Sequence, residues 1–359
     1  HYFAEICEKY QLAFIGPHPA VIERLSDKVT ARRAMREVGL PVLPGSEGFA
    51  PDLAAAADTA AEIGYPVMLK AVGGGGGRGI RSVASEAELS RFFPIAQAEA
   101  EASFGSDHLY VEKHLVDARH VEVQVLGDRH GNVIHVGDRD CTLQRRHQKI
   151  VEEAPSPQLS PALQQRLREA AVVGAEAVGY TSAGTFEFLV DRAENYYFME
   201  VNTRLQVEHT VTEVISGLDL VREQLLIAGG EQSVRRQEDI VLSGHALECR
   251  INVEDAEHGF APSAGQVTAY LPPGGPQVRV DSHLYTGYHI PPHYDSLAAK
   301  VITWGHDRAE AIAVMRRALD ELTIEGVATT VAFQRRIIGD PLFERGELST
   351  TSVDEYFLA

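Results

Sequence analysis

The sequence predicts an α+β fold with mixed sheets, spread over more than one domain, and three observations carry that prediction. Alternating or strongly apolar runs of strand length recur between residues 65 and 305, and helical stretches separate groups of them without following each strand in turn. No repeat of fixed period and no low-complexity tail is present. At 359 residues the chain exceeds one small core, so two or three domains are expected.

In chain order, residues 11–17 (QLAFIGP) read as a short buried strand closed by Gly16-Pro17. A helix follows from about Ala20 to Gly39, with Gly39 as its C-cap. Pro41, Pro44 and Gly45 mark a connection, and the alanine-rich stretch 53–64 is a helix ending at Gly64. Next come a strand (YPVMLKAV), a glycine loop, a strand (GIRSV), a helix over 85–102 and a strand (HLYVEKHL), a unit compact enough to be a small domain or lid. Beyond Val116, long strands are predicted at HVEVQVLGD, 132–137 and GTFEFLV. Helices are predicted over 160–179 and 210–230, the second ending at Gly229-Gly230. Residues 241–305 are strand-rich, with Pro-Pro-Gly-Gly at 272–275, and a helix over 307–322 precedes a closing helical segment.

Composition narrows the classes of function. Hydrophobic content of 44% and charged content of 23% are ordinary for a globular protein. A net charge of -18 disfavours nucleic acid, which requires a basic surface. No apolar run is long enough to span a membrane, and His1-Tyr2-Phe3 opens neither a basic region nor a signal core, so a cytoplasmic location is expected. Three widely spaced cysteines with no CxxC pair fit free thiols in a reducing compartment. The sequence starts without Met, inside a predicted helix, as a fragment would.

The strongest chemical signal is YYFMEVNTRLQVEH, 196–209. If extended, it places Tyr196, Phe198, Glu200, Asn202, Arg204, Gln206 and Glu208 on one face and apolar groups on the other. A solvated edge strand would give the same alternation. The preceding strand changes the balance, because a four-residue loop at 192–195 pairs Asp191 with Tyr196 and sets Glu187 opposite Glu200. Two facing carboxylates repel one another unless a cation lies between them. Mg2+, held by carboxylates together with substrate phosphates, fits that position, with Asn202 as a neutral oxygen donor; an acid–base carboxylate pair is the rival reading.

The run KAVGGGGGRGIR, 70–81, lets backbone N–H groups approach phosphate oxygens without Cβ obstruction. A flexible linker is the bland alternative, but the loop joins two apolar strands and is flanked by Lys70 and Arg78. In RDCTLQRRHQK, 139–149, the residues Arg145, Arg146, His147 and Lys149 concentrate positive charge in an acidic chain, either as a solvated face or as a phosphate site. No Gly-x-Ser-x-Gly elbow or nucleophilic cysteine motif occurs, which leaves phosphoryl transfer by positioning and charge neutralisation.

These segments, with FIGP, SDKVTARRAM, EKHL, RHVEVQV, KIVEEAP and GHALECRINVED, resemble biotin carboxylases, ATP-grasp enzymes, from Tyr2 to the carboxyl terminus. The resemblance implies four segments. Residues 1–42 would be the end of an amino-terminal domain with its connecting helix, and 43–115 the glycine-loop lid. Residues 116–240 would be the catalytic part of the ATP-grasp fold, and 241–359 the carboxyl-terminal domain.

It implies ATP binding by Lys28, Lys70 and the loop glycines Gly75, Gly76 and Gly77. Glu112, Lys113 and Leu115 would line the adenine site, with Gln144 and His147 nearby and His120 on the ribose side. Glu187, which also faces the nucleotide, would join Glu200 and Asn202 in holding Mg2+ or Mn2+, two ions in all. Arg204, Gln206 and the Val207 amide would hold bicarbonate. Glu208 would be the base beside Arg204, Arg250 would stabilise the biotin enolate, and Lys149 would complete the catalytic set. A guanidinium suits a planar oxyanion bidentately, which agrees with these roles.

Biotin would arrive on a separate carrier protein, since no Ala-Met-Lys-Met motif is present, and a carboxyltransferase would complete the reaction. The family's amino-terminal βαβαβ segment, which contributes to the biotin pocket and a homodimer contact, has no counterpart in these residues. Thr210 stands where the family has proline. The resemblance points to acetyl-CoA carboxylase. The same domain of propionyl-CoA, methylcrotonyl-CoA or pyruvate carboxylase is an alternative, as is a non-catalytic protein that only binds ATP.

Overall fold

The structure, a computed structural model, describes residues 1–73, 79–231 and 235–358. Helices α1 (Tyr2–Lys9), α2 (Pro19–Ser26) and α3 (Lys28–Glu37) open it. The single helix expected from Ala20 to Gly39 is therefore two, parted at Asp27. The Asp27 carboxylate accepts a hydrogen bond from the Thr30 amide, and this cap competes with continuation of the helix. Residues 11–17 form no strand: no described strand lies beside them to complete a ladder, and Leu12 and Ile15 are exposed.

A three-stranded antiparallel sheet comes next, in the order β2-β1-β3, from β1 (Val67–Ala71), β2 (Ile80–Val83) and β3 (Leu109–Lys113). Helices α4 (Leu53–Ile63) and α5 (Glu86–Phe104) pack with it, and Leu69, Val83, Leu89, Phe93 and Val111 close a core of their own. At Gly79, just before β2, φ is +71° and a Cβ would lie 2.8 Å from that of Ala71, so only glycine fits without strain.

The main sheet has eight strands. In chain order these are β4 (Arg119–Gly127), β5 (Val133–Arg145), β6 (Gln148–Ala154), β7 (Ser182–Val190), β8 (Tyr196–Asn202) and β9 (His245–Asn252). The short segments β10 (Glu254–Asp255), β11 (Ala261–Pro262), β12 (Gly265–Gln266) and β13 (Ala269–Leu271) lie outside it. β14 (Val278–Ser282) belongs to it, β15 (His289–Ile290) does not, and β16 (Leu297–Gly305) does; β17 (Thr323–Glu325) pairs with β13.

The order is β14-β16-β9-β6-β5-β4-β7-β8, and every ladder is antiparallel. The expected mixed sheets are thus not found among the described strands, because hairpins and returning connections, not βαβ crossovers, join them. Helix α6 (Pro161–Ala177) packs Leu163, Leu167 and Ala171 with Val121, Val123, Phe186, Phe188 and Phe198. The region predicted as one helix over 210–230 is α7 (His209–Ser216) and α8 (Leu220–Ala228), parted where Gly217 adopts a left-handed φ of +70°. At the other end of the sheet, α9 (Arg308–Glu321) and α10 (Val331–Ile338) cover β9 and β16, and the short α11 (Pro341–Arg345) follows.

Candidate active site

Strand pairing brings the polar parity of four strands to one place. On β4, Val121, Val123 and Val125 enter the core, so His120, Glu122 and Gln124 take the opposite face. Glu187 on β7 pairs with Glu200 on β8, as the sequence predicts, and Glu122 pairs with Glu187 from the other side, on β4. The route to the pairing with Glu200 differs from the expected one. The turn pairs Val190, not Asp191, with Tyr196, and a bulge at Met199 restores the register before Glu187. The bulge also overturns the expected parity. Phe198 is buried in the core together with Val201, while Glu200 and Asn202 line the cavity. The strand ends at Asn202, so residues 203–208 are not extended, and Glu208 stands immediately before α7.

Every predicted site residue among those described lines one cavity of about 980 Å3, a volume suited to a nucleotide-sized ligand. Gly75, Gly76 and Gly77 lie outside the described residues. At the centre is Lys149, whose Nζ donates to Glu122, to Glu187 at 2.9 Å and to Glu208 at 2.6 Å. Burial alone would lower the lysine pKa, yet the surrounding carboxylates raise it well above the ordinary value. The same contacts work in reverse on Glu187. Burial opposes its charge, but Lys149 and His120 hold it well below the usual carboxylate range.

His120 Nε2 lies 3.0 Å from Glu187 Oε2, and its Nδ1 is 2.6 Å from Gln144 Nε2. Asn202 donates to Glu187 Oε1 at 2.8 Å, and Lys28 pairs with Glu200 at 3.1 Å. Glu208 is fully buried, and its second oxygen accepts from Arg250 Nη2 at 2.9 Å, while Arg250 Nε donates to Glu152 at 2.6 Å.

Several expected neighbours are rearranged. The guanidinium beside Glu208 is that of Arg250; Arg204 is exposed and donates to the Leu205 carbonyl. Lys70 and Arg32 both pair with Glu112, so that carboxylate is committed to two cations behind the nucleotide side of the cavity. Lys113 Nζ donates to the Gly64 and Tyr65 carbonyls. The basic run of 145–149 does not point one way. Arg145 pairs with Glu254 at 2.8 Å and stacks over Phe260, whereas Arg146 and His147 form the left-handed turn between β5 and β6. Burial and the nearby Lys70 push the His147 pKa below its ordinary value, so its ring is neutral at neutral pH. Gln206 is buried, with its Nε2 donor unpartnered among the described residues, and Lys300 Nζ donates to the Val207 carbonyl.

Four supporting residues escaped the sequence reading: Glu122, Arg139, Glu152 and Lys300. Arg139 is wholly buried, bonded to Glu122, Gln124, Thr185 and Thr212, and it holds the carboxylate face from behind. The alternation HVEVQV already placed Glu122 and Gln124 opposite three buried valines, a signal that a cation must face them. Nothing in the local pattern marks Glu152 or Lys300, whose partners lie on strands remote in sequence.

Facing carboxylates, an amide oxygen and buried lysines lining one nucleotide-sized cavity beside a small antiparallel sheet together define an ATP-grasp enzyme. Residues 27–235 match the family described as the carbamoyl-phosphate synthase L chain ATP-binding domain, and residues 248–355 match the biotin carboxylase C-terminal domain. Biotin carboxylase of Nostoc sp. is 53% identical over 98% of this chain and 79% of its own length. A pyruvate carboxylase subunit of Methanothermobacter thermautotrophicus is 51% identical over 98% of this chain and 72% of its own length. The biotin carboxylase domain dimer of Hydrogenobacter thermophilus 2-oxoglutarate carboxylase, solved with MgADP, ADP and bicarbonate, superposes with a TM-score of 0.97 at 47% identity, over 99% of this chain and 78% of that one. A biotin carboxylase complex from Campylobacter jejuni gives the same TM-score and identity, over 99% of this chain and 79% of that one. The chain belongs to the biotin carboxylase family and is an ATP-dependent carboxylase of the ligase class that acts on biotin.

Proposed function

We propose that this chain carries out the first half-reaction of acetyl-CoA carboxylase in the cytoplasm, carboxylating biotin borne by a carrier protein with bicarbonate and ATP. The observation that carries the reading is Glu208, buried and fixed between Lys149 and Arg250 at the wall of the cavity. A carboxylate held in one place by two cations is positioned to take a proton from bicarbonate. Lys28, Lys70 and the glycine loop (Gly75, Gly76, Gly77) would hold the ATP phosphates, and Glu112, Lys113, Leu115, His120, Gln144 and His147 the nucleoside side. Arg204, Gln206 and the Val207 amide would orient bicarbonate; the unpartnered Gln206 Nε2 supplies a donor already desolvated for that purpose.

Glu187, Glu200 and Asn202 offer hard oxygen donors on neighbouring strands, which fit Mg2+ or Mn2+. When bound there, the ions would neutralise phosphate charge. Lys149 and Lys28 neutralise those same carboxylates by ion pairs.

In the reaction, bicarbonate oxygen attacks the γ-phosphorus of ATP, and the bond to ADP breaks, giving carboxyphosphate. Carboxyphosphate releases CO2, and the departing phosphate takes the ureido N1 proton of biotin. The resulting enolate, stabilised by Arg250, attacks CO2 to form carboxybiotin. A homodimer, a biotin carboxyl carrier protein and a carboxyltransferase are the expected partners. The 51% identity to a pyruvate carboxylase component supports pyruvate as a second acceptor reading.

Bicarbonate-dependent ATP hydrolysis, stimulated by free biotin, tests the first stage. Glu208→Gln should lower kcat by about 100-fold or more; hydrolysis at the wild-type rate would refute the assignment. Pairing the enzyme with purified acetyl-CoA and pyruvate carboxyltransferases separates the two acceptors.

A further inference from the structure

Behind Arg250, two buried glutamates serve no assigned role. Glu152 on β6 and Glu248 on β9 are direct cross-strand partners, and Arg250 lies two residues along β9 on the same face. Arg250 donates to Glu152 with Nε and to Glu208 with Nη2. Thr210 donates its hydroxyl to Glu248, and Lys300 stands 3.7 Å from that carboxylate. One oxygen of each glutamate, Glu152 Oε2 and Glu248 Oε1, is buried without a hydrogen-bond partner among the described residues.

The charges do not balance. Among the described residues, the ion pairs of Glu152, Glu208 and Glu248 are with Arg250, Lys300 and Lys149. Lys149, which reaches Glu208, is shared with Glu122 and Glu187. Arg139 is taken up by Glu122. From β14, Asp281 adds further negative charge 3.9 Å from Lys300 and is itself held by Arg279. On α7, burial and Lys300 lower the His209 pKa, so that ring brings no cation at neutral pH. Next to the pair on β9, Cys249 is a buried thiol kept protonated by its burial. The β6 neighbour Glu153 is matched separately by His245 and Arg308. Ionising both glutamates would therefore leave a buried carboxylate unpaired, a costlier state than a neutral acid.

We propose that Glu152 and Glu248 together carry one proton in the working enzyme and form a positioning pair that sets the charge of Arg250. With that proton in place, Arg250 is opposed by little more than Glu208 and stays net positive toward the cavity, where negative charge develops in the reaction. Without it, two carboxylates cancel the guanidinium and repel one another across the β6–β9 ladder. Burial pushes Glu152 up to about 8, ahead of the opposing effect of Arg250, and burial also raises Glu248. Because the folded state binds the proton more tightly than the unfolded chain, stability falls as pH rises from the ordinary carboxylate range to about 8, and then levels off.

The kinetic arm of the test rests on the function proposed above; the other two arms do not. Infrared pH titration of the wild-type chain should reveal a protonated carboxyl band at neutral pH that disappears with a midpoint near 8. Glu248→Gln, which mimics the protonated member, should remove that band and flatten the loss of Tm between about pH 6 and pH 9. In bicarbonate-dependent ATP hydrolysis the same variant should move the alkaline limb of kcat upward by about one pH unit, with the KM for bicarbonate little changed. The proposal is overturned if the wild type has no such band, or if Glu248→Gln keeps both the band and the alkaline loss of Tm. Should Glu248→Gln fail to fold, the wild-type infrared titration still decides. Should the spectroscopic and stability arms succeed while ATP hydrolysis is absent, the protonated pair stands and the proposed function falls.

Discussion

Replacing Lys149 with methionine isolates the electrostatics on which the site depends. The ammonium is nearly buried and meets three carboxylates, Glu122, Glu187 and Glu208. Methionine keeps most of the stem but leaves those charges facing one another. Removing one partner of a buried ion pair costs about 3–5 kcal/mol. Each carboxylate here retains a second partner: Arg139 for Glu122, His120 and Asn202 for Glu187, and Arg250 for Glu208. The lower end of that range, about 3 kcal/mol, is therefore expected. Urea unfolding followed by Trp304, the single tryptophan and a residue of the same sheet on β16, would register it. With m of about 3 kcal/mol/M, the midpoint should drop by about 1 M. Glu122 and Glu187 are both held below the usual carboxylate range, so the wild type loses their contribution as pH falls below about 4.5. The variant, lacking Lys149, should show a shallower acid limb. A loss under about 1 kcal/mol, the scale of a solvent-screened pair, would sink the reasoning.

Phe198→Ala should cost about 3–5 kcal/mol in chemical denaturation, since the ring is fully buried against Phe186 and Phe188; a solvated strand face would lose almost nothing. Burial opposes the charge of Glu153, but His245 and Arg308 lower its pKa, so Glu153→Gln should remove stability above about pH 4.5 and lose little in acid. The measurement is Tm against pH, and a difference that grows on acidification contradicts the sign. Mg2+ at about 100 times its Kd should stabilise the chain by about 2.7 kcal/mol, and the double variant Glu187→Gln, Glu200→Gln should abolish that shift. An undiminished Mg2+ shift in the double variant would move the cation elsewhere.

Much of the site was legible because short-range pattern carries it. The alternation of GTFEFLV placed Glu187 away from the phenylalanines, and hairpin proximity brought it to Glu200. The same logic failed where one residue broke the period. The bulge at Met199 turned Phe198 into the core, and Asp27 and Gly217 each split a helix that periodicity alone had joined.

The sequence by itself determined the helices and strands whose apolar period is long, the carboxylates facing across β7 and β8, and the family. It did so because each depends on neighbours a few residues apart, or on residue types in fixed order. Only the tertiary structure decided which cation meets which anion. Lys149, Arg250 and Glu208 come from β6, β9 and the start of α7, and their contacts arise from the order β9-β6-β5-β4-β7 in the sheet. That order also put Glu152 beside Glu248, a pairing between strands remote in sequence that no local period encodes. Buried charges choose partners by distance in a low-dielectric interior, and distance is a property of the assembled sheet.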